Sequence, residues 1–499
     1  MDDTIITLFI PRTLSQCIIT ACFGFVIYLI YRFLIAPYLN IKKLGLPFPR
    51  PRPMVGNLFD FGPGNQHVAQ MEWGKRYGRV YASLFFQIPT IWIGDPDMIK
   101  SIMVKEFSNF TNRFPVTKTL HPFDKSILEL KDQDWKRMRN ILIPTFTTSK
   151  LKLILPFISE ASDILIDTLI TADEEGKIID LWQASGHYTM KVILATSFGI
   201  QIESEKQEEK LMNAAGALFR SDPGILQVLM IISPRVFSAL EPKFGGPLVS
   251  SINYIIHLTK QVINERRRNI HAGVTCRRDL IQQMIEAGDN DKLNDDEIIA
   301  QAFIFLTAGY ETTQNTLAFA CYLLGTNPRV QQKLIDEIDS KCPDVNSVSY
   351  DIITNLPYLE MIVSETLRLY PPAHFINRDV KQDTTIKGVH IPKGVMIGFP
   401  VYSIHHDPQF WSNPDDFIPE RFMPEEKVKL VPYSYIPFGG GPRNCIGMRL
   451  ALLEVKLALV KLMQKVKFTT VKETEIPLKL KGLSSLSPLN GIRLGIDRR

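Results

Sequence analysis

The sequence predicts a mainly α fold with a small β region, preceded by a single N-terminal transmembrane helix. Three observations carry that expectation. Residues 150–340 are rich in helix formers with apolar side chains at 3.6-type spacing. Short β-branched runs lie near Val80–Ile93 and Val389–Val401, and proline and glycine clusters around 371–372, 392–394 and 432–442 mark long irregular connections. From Leu14 to Tyr31 the chain is almost entirely apolar, broken by Ser15, Gln16 and Thr20, and is long enough to cross a bilayer core.

Arg32, Lys42, Lys43, Arg50 and Arg52 follow the apolar run, whereas Arg12 alone precedes it as a basic residue. The positive-inside rule therefore puts the bulk of the protein in the cytosol. A cleaved signal peptide is the competing reading, but the run is long and shows no obvious small-residue cleavage site. Pro47, Pro49, Pro51 and Pro53 read as a stiff, extended connector. The expected organisation is an anchor over 1–36, a proline-rich hinge over 37–55 and one large domain over 56–499. Although 499 residues would suggest about three domains by length, the interior holds no low-complexity linker and no repeat. The six cysteines form no C-x-x-C pair and no zinc spacing, which suits a reducing compartment. A net charge of +5 is too mild for a nucleic-acid binder.

Trp135 and Arg139, four apart, share one helical face, a spacing that by itself says only that the two side chains stack. A later helix begins at Asn294, an N-cap with Glu297 at the capping-box position and Asp295 and Asp296 at the positive end of the dipole. It runs to Gly325. In its middle, Ala308 and Gly309 precede Glu311 and Thr312; a small pair there opens either a close helix crossing or a groove. Glu365 and Arg368 lie three apart on a helix that starts near Pro357, an ordinary i,i+3 pair when taken alone.

Cys445 carries the most information. Phe438, Gly441, Arg443, Cys445 and Gly447 fit F-x-x-G-x-R-x-C-x-G, and a helical pattern follows from Arg449. The glycines let backbone pass close to a flat ligand. Arg443 adds a permanent charge, and a sulfur just before a helix N-terminus is expected to have a lowered pKa. An isolated cysteine is more often a small buried hydrophobe; the surrounding string reverses that reading.

This string resembles the cytochrome P450 family of haem-thiolate enzymes, and the resemblance spans the chain from the hinge to the C-terminal strands, closest to microsomal, drug-metabolising, family-3-like members. It implies the P450 fold and haem b (iron protoporphyrin IX) with Cys445 as its axial thiolate, held in the loop of Phe438, Gly441 and Gly447. It implies propionate contacts from Trp135, Arg139, Arg113, Arg378, His405 and Arg443. Thr312 and Glu311 become the acid–alcohol pair that supplies protons during dioxygen cleavage, and Glu365, Arg368 and Arg421 a buried structural cluster. Positions carried over for the substrate pocket are Phe114, Ile127, Phe219, Ile304, Phe305, Thr307, Ala308, Ala373, His374 and Ser485. Two departures stand out: Gly440 replaces the usual small hydroxyl residue, and His406 stands where many relatives carry arginine.

The implied activity is insertion of one oxygen atom into a lipophilic molecule such as a steroid, fatty acid or xenobiotic, at the cytosolic face of the endoplasmic reticulum membrane. No G-x-G-x-x-G or P-loop is present, so electrons from NADPH must arrive through another protein. The resemblance implies NADPH-cytochrome P450 reductase, with cytochrome b5 as a second candidate, and Lys136, Arg137, Lys456 and Lys461 as a docking patch. The alternatives are a reductase-independent haem-thiolate isomerase or synthase, and a non-catalytic haem sensor.

Overall fold

The computed structural model describes residues 14–499 apart from 62–63, 86, 115–120, 200–204, 221–245, 275–278, 289–292, 345–347 and 483–484. Helix α1 (Leu14–Ile30) continues through one π turn, Tyr31–Ile35, into Ala36–Lys42. Gln16–Lys42 is the one helix among the described residues long and apolar enough to cross a membrane, and its most apolar stretch packs against nothing. The connector that follows is docked, not free. Ile41 is fully buried with Ala82 and Leu84, and Leu44, Leu46 and Phe48 pack on them. The Ala82 N–H donates to the Pro47 carbonyl at 2.9 Å. Apolar residues alternating with the prolines explain why a stiff segment lies flat on the sheet.

The main β region is a four-stranded sheet: β1 (Val80–Phe85), β2 (Ile88–Ile93), β3 (Ile376–Asp379) and β4 (Met396–Phe399), in the order β1-β2-β4-β3. Only the β2–β4 pair is parallel, in the register Ile91↔Ile397 and Trp92↔Gly398. A Cβ on Gly398 would lie 2.4 Å from the Trp92 ring, so only glycine admits the indole there. The β-branched run near Val389–Val401 thus splits between a small hairpin strand, Val389–Ile391, and β4.

Everything else of weight is helical. Helices α2 (Asp132–Leu142), α3 (Thr148–Glu174), α4 (Leu181–Ile193), α5 (Asp295–Thr326), α6 (Pro357–Leu369) and α7 (Met448–Lys465) form the body of the molecule. Helix α5 is buried on nearly every side and runs through the middle, packed on α4, α6 and α7. The expected capping box is present: Asn294 Oδ1 accepts the Glu297 N–H and a Glu297 carboxylate oxygen accepts the Asn294 N–H, both at 3.0 Å.

Candidate functional site

Along the buried helix α5 one face is not covered. Phe305, Gly309 and Thr312 are half-buried and Ala308 is exposed, while the residues between them are buried. The spacing i, i+3, i+4, i+7 is one helical stripe, and it faces an internal cavity of about 370 Å³. Across that cavity lies Cys445, whose accessible surface opens on the same space.

The loop that presents Cys445 is pinned at several points. The Cys445 N–H donates to the Phe438 carbonyl at 2.9 Å and the Gly439 N–H to the Ile436 carbonyl at 3.0 Å. Gly441 has φ +68°, and a Cβ there would lie 1.9 Å from the Met103 carbonyl oxygen. Arg139 fixes the preceding residue, donating to the Asn444 carbonyl at 2.9 Å and to Asn444 Oδ1 at 2.7 Å. Gly440 sits tightly under Tyr433 and Met103, which a larger residue would have to displace by a few tenths of an ångström. Burial raises the thiol pKa, opposed by the backbone N–H groups of Gly447 and Met448 and by Arg113 and Arg139. The expected lowering at a helix N-terminus is thus outweighed by desolvation. A metal cation on the sulfur would tip it to thiolate.

Beside the cysteine loop lies an excess of buried positive charge. Arg443 is buried and donates to the Thr111, Leu128 and Leu130 carbonyls at 2.8–3.1 Å, with its guanidinium 4.8 Å from the Trp135 ring centroid. Arg378, 1% exposed, donates to the Asn377 carbonyl at 2.7 Å. Burial, then Arg113, brings the pKa of Arg443 down to about 9; burial, then Arg113 and Arg443, pushes that of Arg378 well down. The Nε atoms of Arg378 and Arg443 are buried without a hydrogen-bond partner. Glu129 acts on Arg113 and Arg443 from a distance as a counter-charge. Such a cluster calls for an added anionic group. A haem, with a soft-ligand iron and two carboxylates, therefore fits the residues present: sulfur, flat glycine loop and arginines meet around one space.

Of the residues expected from sequence, Cys445, Arg443, Phe438, Gly447, Trp135, Arg139, Arg113, Thr312, Ile127, Ile304, Phe305, Ala308 and Ala373 line the cavity. Gly441 shapes the loop from behind, and Arg378 acts on Arg113 and Arg443 without reaching the cavity wall. Thr312 Oγ1 donates to the Ala308 carbonyl at 2.6 Å, and Glu311 is buried off the cavity.

Several expectations require correction. His405 is fully buried away from the cavity: Nε2 accepts the Ile436 N–H at 3.0 Å, so Nδ1 carries the proton and donates to the Arg368 carbonyl at 3.2 Å. It braces the cysteine loop and has no nitrogen left for a propionate. Thr307 is turned off the α5 stripe and bonds the Phe303 and Ile304 carbonyls. His374 lies between two cavity-lining residues, Ala373 and Phe375, on extended chain, and its side chain takes the opposite side. Both its ring nitrogens are buried without a partner, near His67. Ser485 Oγ accepts from Asn315 Nδ2 at 3.1 Å, and Phe114 is half-buried outside the wall. The side chain of Phe219 lies outside the described residues. The expected docking patch also breaks up: Lys456 is buried against Glu360, Lys461 is buried and bonded to Asp163 at 2.6 Å, and Arg137 pairs with Glu297. His406 stacks on Tyr402 with ring centroids 4.0 Å apart, and its Nδ1 donates to the Tyr402 carbonyl at 2.8 Å.

Sequence reasoning missed other wall residues, among them Phe146, Ile193, Leu280, Phe375, Thr316 and Glu454. Glu454 left a signal, a lone carboxyl among Leu453, Val455 and Leu457; burial raises its pKa to about 8. Behind the site, Arg368 grips Glu365 bidentately at 2.8 Å, Arg421 Nε reaches the same carboxylate at 3.2 Å, and the Ile418 N–H adds a bond at 3.1 Å.

A family model described as Cytochrome P450 matches residues 46–494. The chain is 40% identical to Cytochrome P450 3A5 of Homo sapiens over 477 residues, 92% of each chain. It is likewise 40% identical to Cytochrome P450 3A6 of Oryctolagus cuniculus, again over 92% of both. To Cytochrome P450 3A11 of Mus musculus it is 39% identical over 490 residues, 94% of this chain and 95% of that one. With a cysteine loop, an arginine cluster and an open helix stripe gathered on one cavity inside the matched span, the chain belongs to the cytochrome P450 family of haem-thiolate monooxygenases.

Proposed function

We propose that this chain inserts one oxygen atom from dioxygen into a lipophilic small molecule of the steroid, fatty acid or xenobiotic class. Electrons come from NADPH through NADPH-cytochrome P450 reductase, with cytochrome b5 as a second donor, at the cytosolic face of the endoplasmic reticulum membrane. The observation that carries the reading is the uncovered stripe Phe305, Ala308, Gly309 and Thr312 facing Cys445 across one cavity with a mainly apolar wall.

Haem bound there supplies dioxygen activation. Cys445 would hold the iron, and Arg113, Arg139, Arg443 and Trp135 the carboxylate edge, with buried Arg378 adding positive charge from behind; the excess of buried cations and the unsatisfied Arg443 Nε favour an anion there. Ile127, Ile304, Phe305 and Ala373 exclude water and present apolar surface to a substrate. Ala308 and Gly309 leave room beside the helix. Thr312 is the hydroxyl of the stripe. Its proton is held by the Ala308 carbonyl, and turning that hydroxyl into the cavity presents a donor where protons are consumed. Glu311, buried one residue back, is the carboxyl from which the hydroxyl is reprotonated.

The test is stoichiometry. With purified reductase, NADPH, dioxygen and product should be turned over in equal amounts for any compound that shifts the haem Soret band in a lipid and drug screen. Peroxide rearrangement without reductase, and no NADPH-dependent product from any such compound, would replace this reading with the isomerase or synthase. The ferrous carbonyl complex should carry the red-shifted Soret band of a thiolate ligand, lost in Cys445→Ala.

A further inference from the structure

A second cavity, of about 480 Å³, lies where the N-terminal helix meets the sheet, far along the chain from the cysteine loop. Its apolar wall is Phe33 and Leu34 from the last turns of the helix with Phe48 and Leu84 opposite, and Arg50 and Arg52 stand on its rim. Arg32 Nη1 donates to Gln87 Oε1 at 3.1 Å, and Tyr38 meets Phe48 edge to face at 6.1 Å, so the two walls are tied together.

Depth in the bilayer follows from length. About 20 helical residues at about 1.5 Å each fill the hydrocarbon core, so a span beginning near Leu14 leaves the core near Phe33. The cavity then opens at the level of the lipid headgroups, where Tyr38 is the aromatic side chain expected of an interface. Charge follows from the rim. Arg50 is exposed and makes no ion pair among the described residues; Arg52 makes a long, exposed contact of 3.7 Å with Asp60 and lies 5.9 Å from the Phe59 ring centroid. Lys42 and Lys43 add exposed positive charge nearby along the chain. Apolar side chains and two guanidinium groups lining one groove match neither a free anion, which has no use for the apolar contacts, nor an uncharged lipophile, which has none for the charge.

We propose that this groove seats one anionic phospholipid, its phosphate and headgroup against Arg50 and Arg52 and its glycerol and first methylenes against Phe33, Leu34, Phe48 and Leu84. The assignment rests on the reading of Gln16–Lys42 as a membrane span. The lipid acts as a wedge between anchor and sheet and so fixes how the catalytic domain leans on the membrane.

Full-length holoprotein is floated with phosphatidylcholine vesicles and, separately, with an equimolar mixture of phosphatidylcholine and phosphatidylserine; lipid retained after detergent extraction is counted by native mass spectrometry. One phosphatidylserine per chain is expected, favoured over phosphatidylcholine by about fivefold per arginine. Arg50→Glu with Arg52→Glu should erase the preference while leaving flotation and the carbonyl spectrum unchanged, and the double lysine variant should restore part of it. Lys42→Glu with Lys43→Glu, outside the groove, should keep it. Millimolar inorganic phosphate should not displace the lipid. Wild type that floats but shows no preference, equal loss in both charge-reversed variants, or displacement by phosphate would each overturn the groove assignment alone. Wild type that floats with neither vesicle overturns the membrane span and the groove with it.

Discussion

Thr312 and His374 show how differently two polar residues near one cavity behave. Thr312 is satisfied by the Ala308 carbonyl at rest and has its hydroxyl on the uncovered stripe. Thr312→Ala should therefore keep the haem spectrum and substrate affinity, whereas product formed per NADPH falls by about tenfold or more and hydrogen peroxide rises to match. Thr312→Ser should recover most of the coupling; unchanged coupling in the alanine variant would remove Thr312 from proton delivery. His374 is fully buried with both ring nitrogens unpartnered, and burial, then His67, lowers its pKa to about 3. Replacing such a ring by an unbranched apolar side chain removes a desolvation penalty of about 1–3 kcal/mol. His374→Met should raise the thermal midpoint without changing the carbonyl spectrum, and a lower midpoint would show that the imidazole is satisfied in solution.

At the scale of elements, the end of α6 is welded to the segment that leads to the cysteine loop. Arg368 joins Glu365 to the carbonyls of His405, Pro414 and Asp416, and Arg421 adds Ser412 and Asn413. The His405 ring then passes from the Arg368 carbonyl to the Ile436 N–H, two residues before Phe438. Removing one partner of the buried pair leaves the other charge uncompensated, at about 3–5 kcal/mol. Glu365→Gln should therefore lower haem retention and the unfolding midpoint together. Arg421→Ala should do less, because Arg368 still holds the carboxylate on two bonds. Equal effects from the two variants, read by carbonyl difference spectra and thermal melts, would contradict this ranking.

The whole molecule joins one long apolar N-terminal helix to a body that buries several neutral histidines. His67, His374 and His406 have pKa values lowered to about 4, 3 and 3, and that of His405 is also pushed well down, burial being the leading cause for each. The unfolded chain takes up protons below about pH 6.5 while the folded chain does not, so these residues contribute fully above pH 6.5. Their contribution is lost progressively below pH 6.5, down to about 4 for His67 and about 3 for His374 and His406. Between pH 6.5 and 5 each buried neutral histidine costs the folded state about 2 kcal/mol of stability. Glu454, held protonated up to about pH 8, has the opposite sign and is outnumbered. The thermal midpoint should fall as pH drops from 7 to 5, less steeply in His374→Met; a flat profile would refute the buried neutral histidines. Deleting residues through Tyr31 should weaken membrane partitioning and leave a haem-binding domain, since Ile41, Leu44, Leu46 and Phe48 keep their place on the sheet. Loss of haem binding on truncation would mean that anchor and domain fold together.

What the sequence by itself determined is what short-range chemistry encodes. The apolar run, the Asn294 capping box, the loop from Phe438 to Gly447 and the stripe that carries Ala308 and Thr312 are each written in one contiguous stretch, where helix geometry or glycine conformation sets the outcome. Which way a side chain faces between elements was decided by tertiary structure. His405, Thr307 and Ser485 sit beside cavity or loop residues in sequence and turn away from the cavity because backbone groups or an asparagine amide claim their side chains, and His374 is buried beside His67. Lys456 and Lys461 read as solvent-facing cations on α7 and are buried against acids of α6 and α3. The proline connector reads as a spacer and is packed as part of the domain. In each case the deciding partner lies on a distant segment, and the free energy of burying that contact appears only when the chain is closed.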